Sequence, residues 1–219
     1  MTQSSNRPDA QLIPIRRGVD LPRRARDPRI DAFRGLALIM IIIDHMPGNP
    51  WEHLTIRNIG FSDAAEAFFI MSGIAAGIAY SPAIGRWMSG ELRLWDAMAP
   101  LWRRAWQLYI VHIVLTVAAI GLYAWAADTF VRSEFRVMHN LALLYDQTGA
   151  AMAGLVTLGY QIGYVNILPS YTVLLLAGPA LIAAVLYAPR TTLAVAGAFW
   201  LYAGATRLTI PNHPGGGGW

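Results

Sequence analysis

The segment "RIDAFRGLALIMIIIDH" (Arg29–His45) sets a long apolar run between ionisable groups, Asp31 and Arg34 before it and Asp44 and His45 at its end. Ionisable side chains at membrane depth are costly, face protein or water, and mark function by default. A span over about Ile30–Met46 covers roughly 25 Å at 1.5 Å per residue, short of a hydrocarbon core of about 30 Å. Its polar ends therefore belong in the interface or against other parts of the protein. "PGNP" (Pro47–Pro50) stops it.

Further apolar stretches follow. "SDAAEAFFIMSGIAAGIAY" (Ser62–Tyr80) reads as a second span, with Ser62 as N-cap and Asp63 as either a cap or a functional carboxylate, ended by Ser81-Pro82, with Gly73 and Gly77 spaced to admit a neighbouring helix. A loop bearing Arg86, Arg93, Arg103 and Arg104 is expected before the third span, Trp106–Ala127, whose polarity is broken only by Gln107 and His112. Residues 128–166 are amphipathic, then Gly-rich, and read as an interfacial or re-entrant segment rather than two full spans. Ile167–Ala188, with Pro169 near its start and Pro179 as a kink, and Thr191–Ala205 complete the series. The expected fold is an all-α, polytopic integral membrane bundle with about five to six transmembrane helices in this chain. The closing glycine run reads as a loop leading into further spans of a longer protein.

Composition agrees. The chain is 55% apolar and 14% charged, a membrane-protein profile. All 17 basic residues are arginine, eight of them within the first 34 positions, so the basic pI is local and a nucleic-acid surface is disfavoured. Residues 1–28, rich in Arg and Pro, read as a disordered cytoplasmic arm, with residues 29–219 forming the membrane domain. With the N-terminus inside, thirteen arginines fall on the cytoplasmic side and four (Arg57, Arg132, Arg136, Arg207) outside, as the positive-inside tendency requires. The expected location is the bacterial inner membrane, multi-pass. The absence of cysteine excludes disulfides and thiol chemistry, and no histidine has metal-ligand spacing around it.

Arg34 and His45 lie about 20° apart around a helix and roughly 16 Å apart along it, so they share one face at opposite ends. Arg34 is suited to hold a phosphate or carboxylate bidentately. His45 can take a proton from a hydroxyl, as acyl transfer to a sugar requires. Asp44 points about 100° away from His45. Glu66, three residues after Asp63 in the first turns of the second helix, shares a face with Gly73 and is a second carboxylate available near His45. Arg103 and Arg104 form another anion-site candidate, against a reading as topology markers. Taken singly, Arg34 and His45 have bland readings as a snorkelling and an interfacial residue. On one face together they favour function. His112 reads as a buried, hydrogen-bonded histidine, and His53, His139 and His213 as loop residues.

These motifs resemble a known family. Arg34, ten residues, then His45, followed by Phe68-Phe69-Ile70-Met71-Ser72-Gly73, is similar to the membrane acyltransferases called acyltransferase type 3. More closely, "GFSDAAE", "RRAWQLY" and "NILPSY" resemble the OpgC family, which attaches succinyl groups to osmoregulated periplasmic glucans. The resemblance runs from about Arg26 to Trp219 and implies about ten transmembrane helices in a complete member. It implies an acyl-CoA donor, succinyl-CoA foremost, on the cytoplasmic side, and hydroxyls of a glucan acceptor on the periplasmic side. His45 would be the essential histidine, Asp44 or Glu66 would tune it, and Arg34, Arg103 and Arg104 would hold the CoA side. No bound cofactor, metal or nucleic acid is implied, and a homo-oligomer is left open. The alternative reading is a transporter or proton-coupled permease that uses the same buried charges.

Overall fold

The computed structural model describes residues 27–46, 48–60, 62–210 and 212–215. The expected N-terminal arm, except Asp27 and Pro28, and the end of the glycine run lie outside the described residues. Within them the fold is helical throughout, as expected, with no strand. In chain order the α-helices are α1 (Pro28–Asp44), α2 (Ile56–Ile59), α3 (Ala64–Met88), α4 (Leu94–Thr129), α5 (Ala142–Asp146), α6 (Thr148–Val156), α7 (Ile167–Tyr187) and α8 (Pro189–Thr206). Short 3-10 turns at Pro50–Leu54, Ser133–Arg136 and Met138–Asn140 join them. The packed centre is α3, α4 and α7, with α1 laid against α3 and α8 following α7.

Three helices, α3, α4 and α7, are long and apolar enough to cross a membrane. Only 17% of the most apolar stretch of α4 is buried inside the protein. Side chains such as Ile70, Val114, Leu122 and Leu174 are exposed along these helices. Helices apolar on their outer faces too require lipid or another apolar cover. α1 and α8 form where the sequence places them but stay outside that set, so the expected five to six spans reduce to three that qualify by length and apolarity among the described residues.

Helix starts follow local chemistry. Asp27 accepts from the Arg29 N–H at 3.0 Å ahead of Pro28, and Asp63, rather than Ser62, caps α3 by accepting from the Glu66 N–H at 3.0 Å.

One proline boundary and one loop expected from sequence are overruled. α3 does not end at Ser81-Pro82 but runs on to Met88. Pro82 leaves the Ile78 carbonyl without its helical donor, yet Ala83 and Ile84 bury against Ala97 of α4, and the Ser81 hydroxyl adds a bond to the neighbouring Gly77 carbonyl at 2.5 Å. Where water cannot satisfy a broken turn, the packed helix is the cheaper arrangement. Likewise α4 begins at Leu94 and carries Pro100 inside it. The expected arginine loop shrinks to a few residues, with Arg86 in the last turn of α3, Arg93 at the α4 N-cap and Arg103 and Arg104 on α4 itself. What makes this stretch a helix is its buried stripe, Ala97, Leu101, Ala105, Leu108, His112 and Thr116, at three- to four-residue spacing.

Close helix approach also falls elsewhere than expected. A Cβ at Gly73 or Gly77 would meet nothing within 4 Å, so that face of α3 receives no neighbour among the described residues. The tight crossing is α4 on α7, where a Cβ at Gly178 would sit 2.7 Å from Leu101 Cδ2. The Trp102 indole N–H donates to the Leu176 carbonyl at 3.3 Å beside it. Small residues at the contact let backbones approach where packing, not water exclusion, drives association.

Residues 128–166 contain no spanning helix, as expected. They fold as a cap on the second half of α4: Leu141, Leu144, Ala151, Leu155, Tyr160 and Ile162 pack against Ile113, Ala119, Ile120 and Tyr123.

Candidate active site at the end of α1

α1 ends at Asp44 because the chain turns at His45, whose backbone N–H bonds the Ile41 and Ile42 carbonyls. Asn49 fastens the turn. Its amide donates to the Ile43 and Met46 carbonyls, both at 2.8 Å, while its oxygen accepts from the Trp51 N–H at 2.9 Å. His45 Nδ1 lies 2.6 Å from the Ile41 carbonyl oxygen. A carbonyl only accepts, so in neutral imidazole Nδ1 carries the hydrogen and Nε2 is left with the lone pair. The ring is exposed and meets Tyr164 edge-on, centroids 4.9 Å apart.

Asp44 turns another way. Its Oδ1 accepts from the buried Thr55 hydroxyl at 2.6 Å. The same hydroxyl lies 2.9 Å from the Glu52 carbonyl, but its one proton favours the shorter, charged acceptor. Asp44, Glu52, His53, Arg57 and Asn58 together line a cavity of about 210 Å³.

On the Tyr164 side, the His139 ring lies tilted at 51° with centroids 4.2 Å apart and is followed by Tyr123 at 5.6 Å from His139. Tyr164, His139 and Asn140 all hold left-handed backbone, with φ 73, 55 and 70, each a strain of order 1–3 kcal/mol that the surroundings must offset. The Gly163 N–H donates to the His139 carbonyl at 2.9 Å, Asn140 Nδ2 donates to the Gln161 carbonyl at 3.1 Å, and the Tyr160 hydroxyl donates to the Asn140 carbonyl. Burial pushes the Tyr160 phenol above its ordinary range, so it remains the donor in that bond.

The other candidates are spread out. The half-buried Arg34 guanidinium lies over the Phe68 ring, 5.5 Å from its centroid, in the second turn of α3. Phe68 in turn meets Tyr171 of α7 at 6.2 Å. Arg34 Nη1 is 4.0 Å from Asp31, and its buried Nε has no hydrogen-bond partner among the described residues. Arg103 and Arg104 are exposed on α4, Arg104 reaching Gln107 at 3.5 Å and lying within electrostatic range of Tyr80. No contact joins either to Arg34. Glu66 is exposed in the first turn of α3 and makes no hydrogen bond or ion pair with His45 among the described residues. His112 is fully buried, with Nδ1 3.3 Å from the Thr116 hydroxyl and Nε2 without a hydrogen-bond partner among the described residues. Among the described residues no group of three or more His, Asp or Glu could hold a metal.

Compared with known families, residues 26–219 match the model described as OpgC protein. The chain belongs to the OpgC family. No curated protein and no solved structure matches it. OpgC membership ties the chain to the modification of osmoregulated periplasmic glucans, and its three apolar helices tie it to a bilayer.

Within this OpgC chain the structure adds residues that the sequence did not single out for chemistry. Tyr164 reaches His45 from 119 residues further along the chain, with His139 behind it, and no periodicity announces such a meeting. Asn140 was the one local signal, as Asn tolerates left-handed backbone. Glu52, His53, Arg57 and Asn58 belong to a polar connection whose convergence depends on the Asn49 and Thr55 bonds just described.

Proposed function

We propose that this protein is a membrane O-acyltransferase that moves an acyl group, succinyl foremost, from a cytoplasmic acyl-CoA to a hydroxyl of a periplasmic glucan. The observation that carries the reading is His45, an exposed imidazole whose Nδ1–H is held by the Ile41 carbonyl and whose Nε2 lone pair is thereby available. In the reaction, Nε2 takes the acceptor hydroxyl's proton as that oxygen attacks the thioester carbonyl carbon. The C–S bond then breaks, and the departing CoA thiolate receives the proton from the imidazolium. The Ile41 carbonyl plays the orienting part often given to a carboxylate. It also faces the positive charge that arises on the ring during transfer.

Arg34 offers the donor side a half-buried guanidinium whose Nε lacks a protein partner, suited to a phosphate or to the free carboxylate of a succinyl group. Arg103 and Arg104, exposed on α4, suit the CoA phosphates. The test uses the full chain in nanodiscs with succinyl-CoA or acetyl-CoA and a glucan. His45→Ala and His45→Gln are expected to lose about 10²- to 10⁴-fold in transfer, the usual worth of a general base, at unchanged membrane abundance. Transfer at the wild-type rate by either variant overturns the assignment.

A further inference from the structure

The cavity beside Asp44 has no part in the chemistry assigned to His45, and its lining is unusual. Asp44 and Glu52 bring two carboxylates, Arg57 one guanidinium, His53 an imidazole and Asn58 an amide. Opposite charges that share a surface cleft ordinarily close on one another. Here no carboxylate among the described residues comes within 4.0 Å of Arg57. The fixed hydrogen bonds use Asp44 Oδ1, toward Thr55, and Asn58 Nδ2, which donates to the Glu52 carbonyl at 2.5 Å. They hold the walls in place and leave the Glu52 carboxylate, the second Asp44 oxygen, the Arg57 guanidinium, the His53 ring and the Asn58 oxygen turned to other uses.

Such a lining combines acceptors and donors around a small space. That is the pattern complementary to a ring of neighbouring hydroxyls, each able both to donate and to accept. With two carboxylates against one guanidinium, the formal charge is negative when His53 is neutral. An anionic donor such as an acyl-CoA is therefore repelled, and a neutral polyol is not. The volume, about 210 Å³, lies below the roughly 300–1,000 Å³ of sites for drug-sized ligands and suits one sugar ring rather than a nucleotide. Asp44 and His45 are consecutive, so the cavity adjoins the residue assigned as base, although the two side chains face apart.

We infer that the cavity lined by Asp44, Glu52, His53, Arg57 and Asn58 is the acceptor subsite, holding one neutral sugar residue of the glucan next to His45. This rests on the acyltransferase reading above, and the test separates the two. Binding of a glucose oligosaccharide to the full chain is measured in nanodiscs free of sugar detergents, alongside transfer kinetics. The proteins are wild type, Glu52→Gln, Arg57→Ala, His53→Ala and His45→Ala. Expected are saturable binding by wild type and His45→Ala, binding weakened about tenfold or more in Glu52→Gln and Arg57→Ala, as loss of a charged hydrogen bond implies, and a matching rise in acceptor KM at unchanged donor KM. His53→Ala, a smaller change, guards against misfolding of the others and should weaken binding in the same direction. Absent saccharide binding by wild type, equal affinity in the variants, or a rise in donor KM instead overturns the subsite. If saccharide binding depends on these residues while no acyl donor supports transfer, the acyltransferase reading fails and the subsite stands. Intact transfer with an unaltered acceptor KM in the variants overturns the subsite and leaves the acyltransferase reading standing.

Discussion

Replacing Thr55 by Val tests whether Asp44 belongs to the cavity wall or to His45. Thr55 is 2% exposed and its hydroxyl donates to Asp44 Oδ1 at 2.6 Å. Valine fills nearly the same space, so the change deletes one hydrogen bond without opening a void. Hydrogen bonds to charged groups contribute about 1.5–3 kcal/mol, and because Asp44 is only half-buried water recovers part of that, giving an expected loss of about 1.5 kcal/mol. In Asp44→Asn the hydroxyl still finds an amide oxygen, so the expected loss is smaller, about 0.5–1 kcal/mol. A double-mutant cycle between the two should then give a coupling of about 1 kcal/mol, read by denaturant titration followed through tryptophan fluorescence. In transfer assays both single variants should raise acceptor KM and leave kcat within a few-fold, because each loosens the cavity wall and neither touches the Ile41 to His45 bond. Additive stabilities, or an Asp44→Asn variant that loses kcat while Thr55→Val does not, would refute the reasoning and return Asp44 to the role of tuning the histidine.

Two further outcomes follow from close contacts. A Cβ at Gly163 would lie 3.0 Å from both Cβ and Nδ1 of His139; Gly163→Ala should therefore displace His139 from Tyr164 and lower kcat several-fold while overall helicity by circular dichroism is kept, and wild-type kinetics would mean the aromatic side is dispensable. Gly178→Val forces the 2.7 Å approach on the fully buried Leu101 and should destabilise the α4 and α7 contact by about 1–3 kcal/mol, visible as a lowered thermal midpoint, whereas Gly73→Val, on an open face, should leave it in place.

The sequence was most legible where one physical rule acted alone. α7 and α8 appear within a residue or two of the expected spans, since long apolar runs have little else to become in lipid. The prolines were misleading because the rule that they end helices assumes that water compensates the exposed backbone. At Pro82 the packing of Ala83 and Ile84 against α4 holds the helix instead. For Gly73 and Gly77, small-residue spacing identifies a surface that permits approach, and only the placement of neighbours decides whether one comes. Around the candidate site, Arg34 and His45 stood out because charge in an apolar run is expensive. Their partners did not: Phe68 and Tyr164 are ordinary residues until the fold sets them against a guanidinium and an imidazole.

The order Asp-His at the end of α1 has a geometric consequence. Consecutive residues on a helix are separated by about 100° around the axis and by about 3.8 Å between Cα atoms, so two neighbours can serve different compartments and still act on one molecule. Asp44 takes the direction of Thr55 and the polar cavity, while His45 takes that of Tyr164 and His139. A carboxylate bonded to His45 would have to come from the cavity wall, and the cavity would lose it. The last turn of α1 resolves the conflict, since the Ile41 carbonyl accepts the His45 backbone N–H with one lone pair and has a second that meets the ring. Orienting His45 with a main-chain carbonyl leaves Asp44 to the cavity, which is the division of labour that the proposed acyl transfer would use.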